Sequence, residues 1–135
     1  GVFLIRGEGQ LADYCRQTTV AYIQEYLPAD RDVRVVIIGD RPAIAYWRVG
    51  PPGDFRHNLS AGGRIDLSPI PQRIIDLACT TARRCGWNDV GIDILTSGGK
   101  DFVLEANMKY GRQGFRAAGI DYHHMMENLI DDGII

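Results

Sequence analysis

Lysine is almost missing from this 135-residue sequence, where Lys100 and Lys109 are the only two. Arginine supplies the rest of the 15 basic residues, against 17 acidic ones. The net charge of -2 and pI near 5.9 give no electrostatic reason to expect a nucleic acid or an anionic membrane as partner. Cysteine is scarce as well. Cys15, Cys79 and Cys85 are odd in number, show no C-x-x-C spacing and accompany no histidine cluster, which speaks against a disulfide framework or a thiolate metal site. Long apolar runs and internal repeats are absent, and "GVFLIRGEG" lacks the basic start and extended apolar stretch of a signal peptide. A soluble, reduced, cytoplasmic chain is the expectation, and the immediate entry from Gly1 into an apolar run suggests the middle of a longer protein.

What is present suffices for one core, since 45% of the residues are hydrophobic. "GVFLI" reads as a strand and Gly9 to Gln17 as a helix. "TTVAYIQEYL" reads as a second strand closed by Pro28. "VRVVIIGDRPAIAYWRV" is a hairpin around Gly39 to Pro42, and the glycine- and proline-rich residues 50 to 64 form a long loop. A helix begins at Ser68, with Ile74, Ala78, Ala82 and Cys85 on one stripe and Gly86 as its stop. "GIDILT" and "DFVLEANM" form a second hairpin, and Asp121 to Ile130 a closing helix. This order predicts an α+β fold, an antiparallel sheet built from hairpins with packed helices.

The second hairpin poses a chemical question, because Glu105 and Asn107 fall on one face of a strand that is otherwise apolar. A three-residue loop, Gly98 to Lys100, would pair Ile94 with Leu104, Ile92 with Ala106, Leu95 with Val103 and Asp93 with Glu105. A one-residue slip would set Ile92 against Glu105 and bury charge among hydrocarbon. The first register is therefore expected. It leaves two carboxylates directly opposed, a destabilising arrangement unless something positive lies between them. Asp93, Glu105 and Asn107 together offer hard oxygen donors suited to Mg²⁺, or to Mn²⁺ in its place, with substrate phosphates completing the shell. A polar face turned to solvent is the competing reading.

Arginines point the same way. Arg48 ends a strand, and Arg56 lies in the glycine-rich loop beside His57 and Asn58, where guanidinium groups suit bidentate phosphate contact. Arg34 and Arg48 share a sheet face only if the first hairpin also has an odd loop, which the sequence leaves open. His123 and His124, adjacent on a helix, point about 100° apart and cannot chelate one ion. Met125, Met126, Tyr46 and Trp47 read as packing residues, while Lys109 directly follows the carboxylate strand.

The ordered pieces "QEYL", "DVRV", "WRV", "FRHNLSAGG", "GIDI" and "VLEAN", from Gln24 to about Gly111, resemble the later part of the ATP-grasp superfamily, most closely its RimK-like glutamate ligases. The resemblance implies that residues 1–24 are the tail of the central lid subdomain and residues 25–135 the C-terminal subdomain. It implies an adenine hinge at Glu25, Tyr26 and Leu27, with Asp32 approaching the nucleotide. Arg56, His57 and Asn58 would lie against the phosphates with Arg48 close by, and Asp93, Glu105 and Asn107 would hold Mg²⁺. The partners implied are ATP, a carboxylate substrate and an amine acceptor, either a small molecule or a protein terminus. The activity implied is formation of a peptide-like bond through an acyl phosphate, plausibly adding glutamate or a similar amino acid. A nucleotide-binding or regulatory relative without turnover is the alternative, and a purely structural α+β interaction domain a third reading.

Two features depart from the family pattern. Met108, Lys109 and Tyr110 precede Gly111 where the family has small residues and Pro-Gly. The glycine-rich loop and phosphate-binding lysines that the family carries upstream do not precede "GVFLI". This chain alone is accordingly expected to bind nucleotide weakly and not to catalyse ligation. Exposed "GVFLI" and "VAYI" surfaces would favour self-association into a homo-oligomer.

Overall fold

The structure, a computed structural model, describes residues 2–51, 53, 56, 57, 59 and 62–135. Its centre is a five-stranded sheet of order β3-β2-β1-β4-β5. The strands are β1 (Arg31–Ile38), β2 (Arg41–Val49), β3 (Arg64–Asp66), β4 (Asp89–Ser97) and β5 (Lys100–Asn107), and every pairing is antiparallel. The helices are α1 (Glu8–Gln17), α2 (Gln72–Cys85), α3 (Gln113–Ala117) and α4 (Tyr122–Asp131). The α+β architecture is the one that the order of hairpins and helices predicts. None of these helices is long and apolar enough to cross a membrane.

Alternation along the strands divides the sheet into two unlike faces. One carries Val33, Val35, Ile37, Trp47, Val90, Ile92 and Ile94, packed against Ile74, Ala78 and Ala82 of α2. Those three helix residues recur every four positions and form one stripe. Small alanines let the helix lie close to the sheet, and each fully buried branched side chain is worth about 1.5–3 kcal/mol. α2 ends where Gly86 turns left-handed at φ 69°, while Trp87 N–H reaches back to the Ala82 carbonyl. On the other face, Val36 and Ile38 at one end pack with Tyr110 and Phe115, under Tyr122, Met125, Met126 and Leu129. Asp121 caps α4 by accepting from the His123 and His124 backbone N–H groups.

Several local expectations are corrected. The described residues of "GVFLI" and "TTVAYIQEYL" form no strand: residues 2–6 and 18–30 carry no regular structure, and Gly1 lies outside the described residues. Their β propensity finds no partner strand among the described residues, and Phe3, Val20, Tyr22 and Ile23 are exposed. The helix expected from Ser68 begins at Gln72, because prolines at 69 and 71 hold the preceding backbone extended and Pro71 becomes its N-cap. β3 and α3 were not anticipated.

The second hairpin turns through two residues, Gly98 and Gly99, not three. Both have positive φ, 56° and 76°, as a tight primed turn demands. Ile94 therefore faces Val103 and Leu95 faces Phe102 instead of the expected partners. A bulge at Leu104, opposite the Asp93–Ile94 step, then restores the expected pairs, Asp93 with Glu105 and Ile92 with Ala106. The first hairpin uses the same device. Its ladder shifts between Val36 and Ile37, and beyond the shift Arg34 lies opposite Tyr46 and Asp32 opposite Arg48, so Arg34 and Arg48 share a face.

Candidate active site

The central strands carry a row of alternating charges across the face opposite α2. Arg48 on β2 donates through Nε and Nη2 to both oxygens of Asp32 on β1, at 2.7 and 2.8 Å. Its Nη2 also reaches Asp93 Oδ2 on β4 at 2.8 Å. Arg34 on β1 grips Asp93 from the other side, Nε to Oδ1 and Nη2 to Oδ2, both 2.7 Å. Beyond it, Glu105 Oε1 on β5 lies 3.9 Å from Arg34 Nη2. Asp32, Arg34, Arg48 and Asp93 are all buried, Asp93 to within 1%. Buried charges of this kind persist only when paired and hydrogen-bonded.

His57 closes the row at its other end. Nδ1 lies 3.6 Å from Asp32 Oδ2, and Nε2–H donates to the Ala29 carbonyl at 3.1 Å. Gly50 makes this approach possible, because a Cβ there would come within 2.5 Å of the Arg56 carbonyl oxygen and 3.1 Å of the His57 ring. The Asp32 carboxylate raises the imidazole pKa above its ordinary value against the opposing effect of burial. Burial pushes the Asp32 pKa upward, yet the hydrogen bonds and charges of His57 and Arg48 hold it below the usual carboxylate range. Burial likewise opposes the charge of Arg34, and the Asp93 carboxylate more than compensates. Glu105, exposed at its tip, is raised by partial loss of water at the sheet surface and then by Asp93 across the strand pair, with both arginines opposing.

The expected site residues are thus only partly brought together. Asp32, Arg48, His57, Asp93 and Glu105 form one chain of contacts. Asn107, opposite Gly91, follows on the same face, its Oδ1 accepting the Lys109 backbone N–H at 2.8 Å. Glu25 and Tyr26 are exposed and Leu27 half-buried in the extended segment, which is anchored where Ser97 Oγ donates to the Pro28 carbonyl at 2.8 Å. Arg56 is exposed, and Asn58 lies outside the described residues. Among the described residues no three His, Cys, Asp or Glu side chains form a metal cage; the expected set is two carboxylates and an amide.

The sequence reading assigned the charge between Asp93 and Glu105 to a cation alone, whereas two arginines already hold Asp93. It also missed the part played by Arg34, although the alternation of "DVRV" puts Arg34 on the face of Asp32. A cavity of about 210 Å³ opens beside the end of β5, lined in part by Met108, Lys109, Tyr110, Arg112 and Tyr122. A larger one, about 490 Å³, lies between Phe3, Leu4 and Ile5 and α1 and includes none of the expected residues.

The donor set is compatible with a hard divalent ion. A carboxylate offers about four lone-pair sites, and the arginines take three of those of Asp93, while Glu105 is exposed.

Solved structures similar to this chain include two ATP-grasp-type ligases. The ligase PsnB, complexed with a phosphomimetic variant of its minimal precursor, Mg and ADP, aligns with a TM-score of 0.63 at 29% identity over 83% of this chain and 35% of that one. D-alanine–D-alanine ligase from Bacillus anthracis, complexed with ATP, shares the fold at a TM-score of 0.63 and 12% identity, over 94% of this chain and 47% of that one. The family model described as the RimK-like ATP-grasp domain matches residues 1–130, and the chain belongs to that family. Its similar relatives include a probable alpha-L-glutamate ligase of Enterobacter sp. (strain 638), 32% identical over 112 residues. Another is the ribosomal protein bS6–L-glutamate ligase of Escherichia fergusonii (strain ATCC 35469), 33% identical over 112 residues. This chain spans 37% of the length of each, and the matched stretch is 81% of this chain.

Proposed function

We propose that this chain is the C-terminal part of the nucleotide site of an ATP-dependent carboxylate–amine ligase. Its reaction would form a peptide-like bond through an acyl phosphate, adding glutamate or a similar amino acid. Residues 25–135 would be the C-terminal ATP-grasp subdomain, and residues 1–24 the tail of the lid subdomain. The observation that carries the reading is the row of alternating charges that ends at Glu105, with Asn107 next on the same face, in a chain of the RimK-like family. A relative named as a ribosomal protein ligase makes a protein terminus a reasonable acceptor.

In this reading Asp93, Glu105 and Asn107 hold Mg²⁺, with Mn²⁺ as a substitute, and ATP supplies the phosphoryl group. The bound ion would supply charge neutralisation to phosphate oxygens. Arg48, bonded to Asp32 and Asp93, fixes the direction of the Asp93 carboxylate. Arg56, exposed on the loop, would meet the phosphates. His57 ties that loop to β1 through Asp32 and to the hinge segment through Ala29. Glu25, Tyr26 and Leu27 would receive adenine largely through backbone groups, and Asn58 is assigned with Arg56 on family resemblance alone. Such a site works by positioning and electrostatics, which gain strength once water is excluded.

The test is ADP release by the full-length protein with ATP, Mg²⁺ and a panel of amino acids and peptides. Arg56→Ala should lower turnover about 100-fold or more through lost charge stabilisation, with Tyr26→Phe close to wild type. Nucleotide binding without carboxylate-dependent ADP release would favour the non-catalytic reading, and equal, small effects of both substitutions would remove Arg56 from the site.

A further inference from the structure

Arg34 has been assigned no role above, yet it contacts two of the three expected metal ligands, Asp93 and Glu105, and the segment that follows the third. It is 8% exposed and lies on β1 opposite Asp93 of β4 and Tyr46 of β2. Three of its nitrogens have protein acceptors. Nε and Nη2 hold the two oxygens of Asp93 at 2.7 Å, and Nη1 donates to the Tyr110 carbonyl at 3.0 Å. Nη2 is also 3.9 Å from Glu105 Oε1. One guanidinium therefore joins β4, β5 and the segment that follows Asn107.

Gly91 makes this meeting possible. A Cβ at that position would come within 2.6 Å of the Tyr110 Cβ and 3.5 Å of the Arg34 Cδ. The absence of a side chain opposite Asn107 lets Tyr110 lie against the sheet, with its carbonyl beside the guanidinium. Tyr110 is fixed at its far end too, its hydroxyl donating to Asp89 at 2.8 Å. A buried guanidinium already engaged on these sides is badly placed to receive phosphate directly. Its planar fork is well suited to fixing the direction of a carboxylate.

We propose that Arg34 is the positioning residue of the metal-binding strand pair: it orients Asp93 and anchors the Tyr110 segment, so that Asp93, Glu105 and Asn107 stand in register for a divalent cation before one binds. The proposal rests on the metal role assigned above to those three residues. Arg34 acts through Asp93 and Tyr110 and remains bonded to Asp93 when the cation is present. A lysine would keep the positive charge but lose the fork, since one ammonium cannot reproduce the paired contact to both Asp93 oxygens together with the Tyr110 carbonyl.

The experiment is a Mn²⁺ titration, followed by water-proton relaxation, of the full-length protein with a non-hydrolysable ATP analogue, comparing wild type with Arg34→Lys. Metal-free nucleotide affinity is measured alongside. Loss of an orienting partner should weaken Mn²⁺ binding by about 10–100-fold and leave metal-free nucleotide affinity unchanged. Equal Mn²⁺ affinity in both proteins, or a matching loss of metal-free nucleotide affinity, overturns the proposal. If Arg34→Lys does not fold, the wild-type protein decides: the Arg34 Nε–H resonance should stay protected from exchange when Mg²⁺ and nucleotide are added, and its loss of protection overturns the proposal. If wild-type protein binds no Mn²⁺, the metal assignment itself fails and this inference falls with it, a result seen without any variant.

Discussion

The two faces of the sheet are made by alternate residues of the same strands, yet they are held in opposite ways. Behind β1 and β4 the buried centre of the face toward α2 is hydrocarbon, and a lost methylene there leaves a void. In front, the neighbouring positions Asp32, Arg34 and Asp93 are buried too, but they hold together by matched charge. The apolar face tolerates approximate partners, while the charged face tolerates no missing one. Burying ions earns little net stability even when all are paired; its return is a set of side chains fixed in direction.

Breaking the charged face should have the largest effect. Arg48→Ala leaves Asp93 to Arg34 and Asp32 to His57, with no cation between the two buried carboxylates, and urea unfolding should show a loss of about 3–5 kcal/mol, the usual result of removing one partner from a buried pair. On the hydrocarbon face, Ile92→Ala should cost about 2–5 kcal/mol by opening a cavity. Its signature would differ, because Ile92→Val should recover most of the loss, whereas Arg48→Lys should recover only part of what Arg48→Ala loses. If the two series behave alike, the contrast between the faces is wrong. Gly114→Ala tests the boundary where α3 meets the front face. The new Cβ would lie 2.1 Å from the Tyr46 ring, and overpacking of this kind costs about 1–3 kcal/mol.

A smaller effect should follow pH. Because the folded-state pKa of His57 is raised, its contribution is complete below the unfolded imidazole value of about 6.5 and is lost as pH rises through the higher folded value. Asp32 has the opposite sign: its lowered pKa gives stability that is present above the ordinary carboxylate value and lost as pH falls through the folded one. Unfolding followed from about pH 5 to about pH 9 should therefore show a decline in wild type that His57→Gln lacks. The smallest change is expected from Arg73→Ala. That side chain pairs with Asp101 at 2.8 Å but is 57% exposed, and such pairs are worth about 0–1 kcal/mol, less in salt.

These contrasts mirror what could be read from the sequence. The pairing of Asp93 with Glu105 was legible because sorting apolar from polar residues along "GIDIL" and "VLEAN" allowed only one register near the site. The turn was not, since a three-residue loop and a two-residue loop followed by a bulge give Glu105 the same partner, and only the backbone at Gly98 and Gly99 tells them apart. The need for positive charge beside Asp93 was legible, but its source was not. The Arg34 guanidinium reaches across from β1 through the pairing of β1 with β4, strands distant in sequence. The approach of Arg48 depends on the first hairpin, where a second bulge was hidden. "TTVAYIQEYL" failed as a strand for a reason of another kind: propensity names what a segment can pair as, not whether a partner is at hand.

The bulge at Leu104 has a further consequence, for solubility. β5 is an edge of the sheet, with Val103 and Leu104 both exposed, at 39% and 36%, and a straight apolar edge invites a strand from another molecule. Leu104 interrupts the ladder midway along β5 and leaves no regular edge for such a strand to copy. Deleting Leu104 would keep Glu105 opposite Asp93 while straightening the edge. The shortened protein should retain its charged row and gain a tendency to polymerise through β5, visible as time-dependent light scattering that the parent chain does not show through this edge.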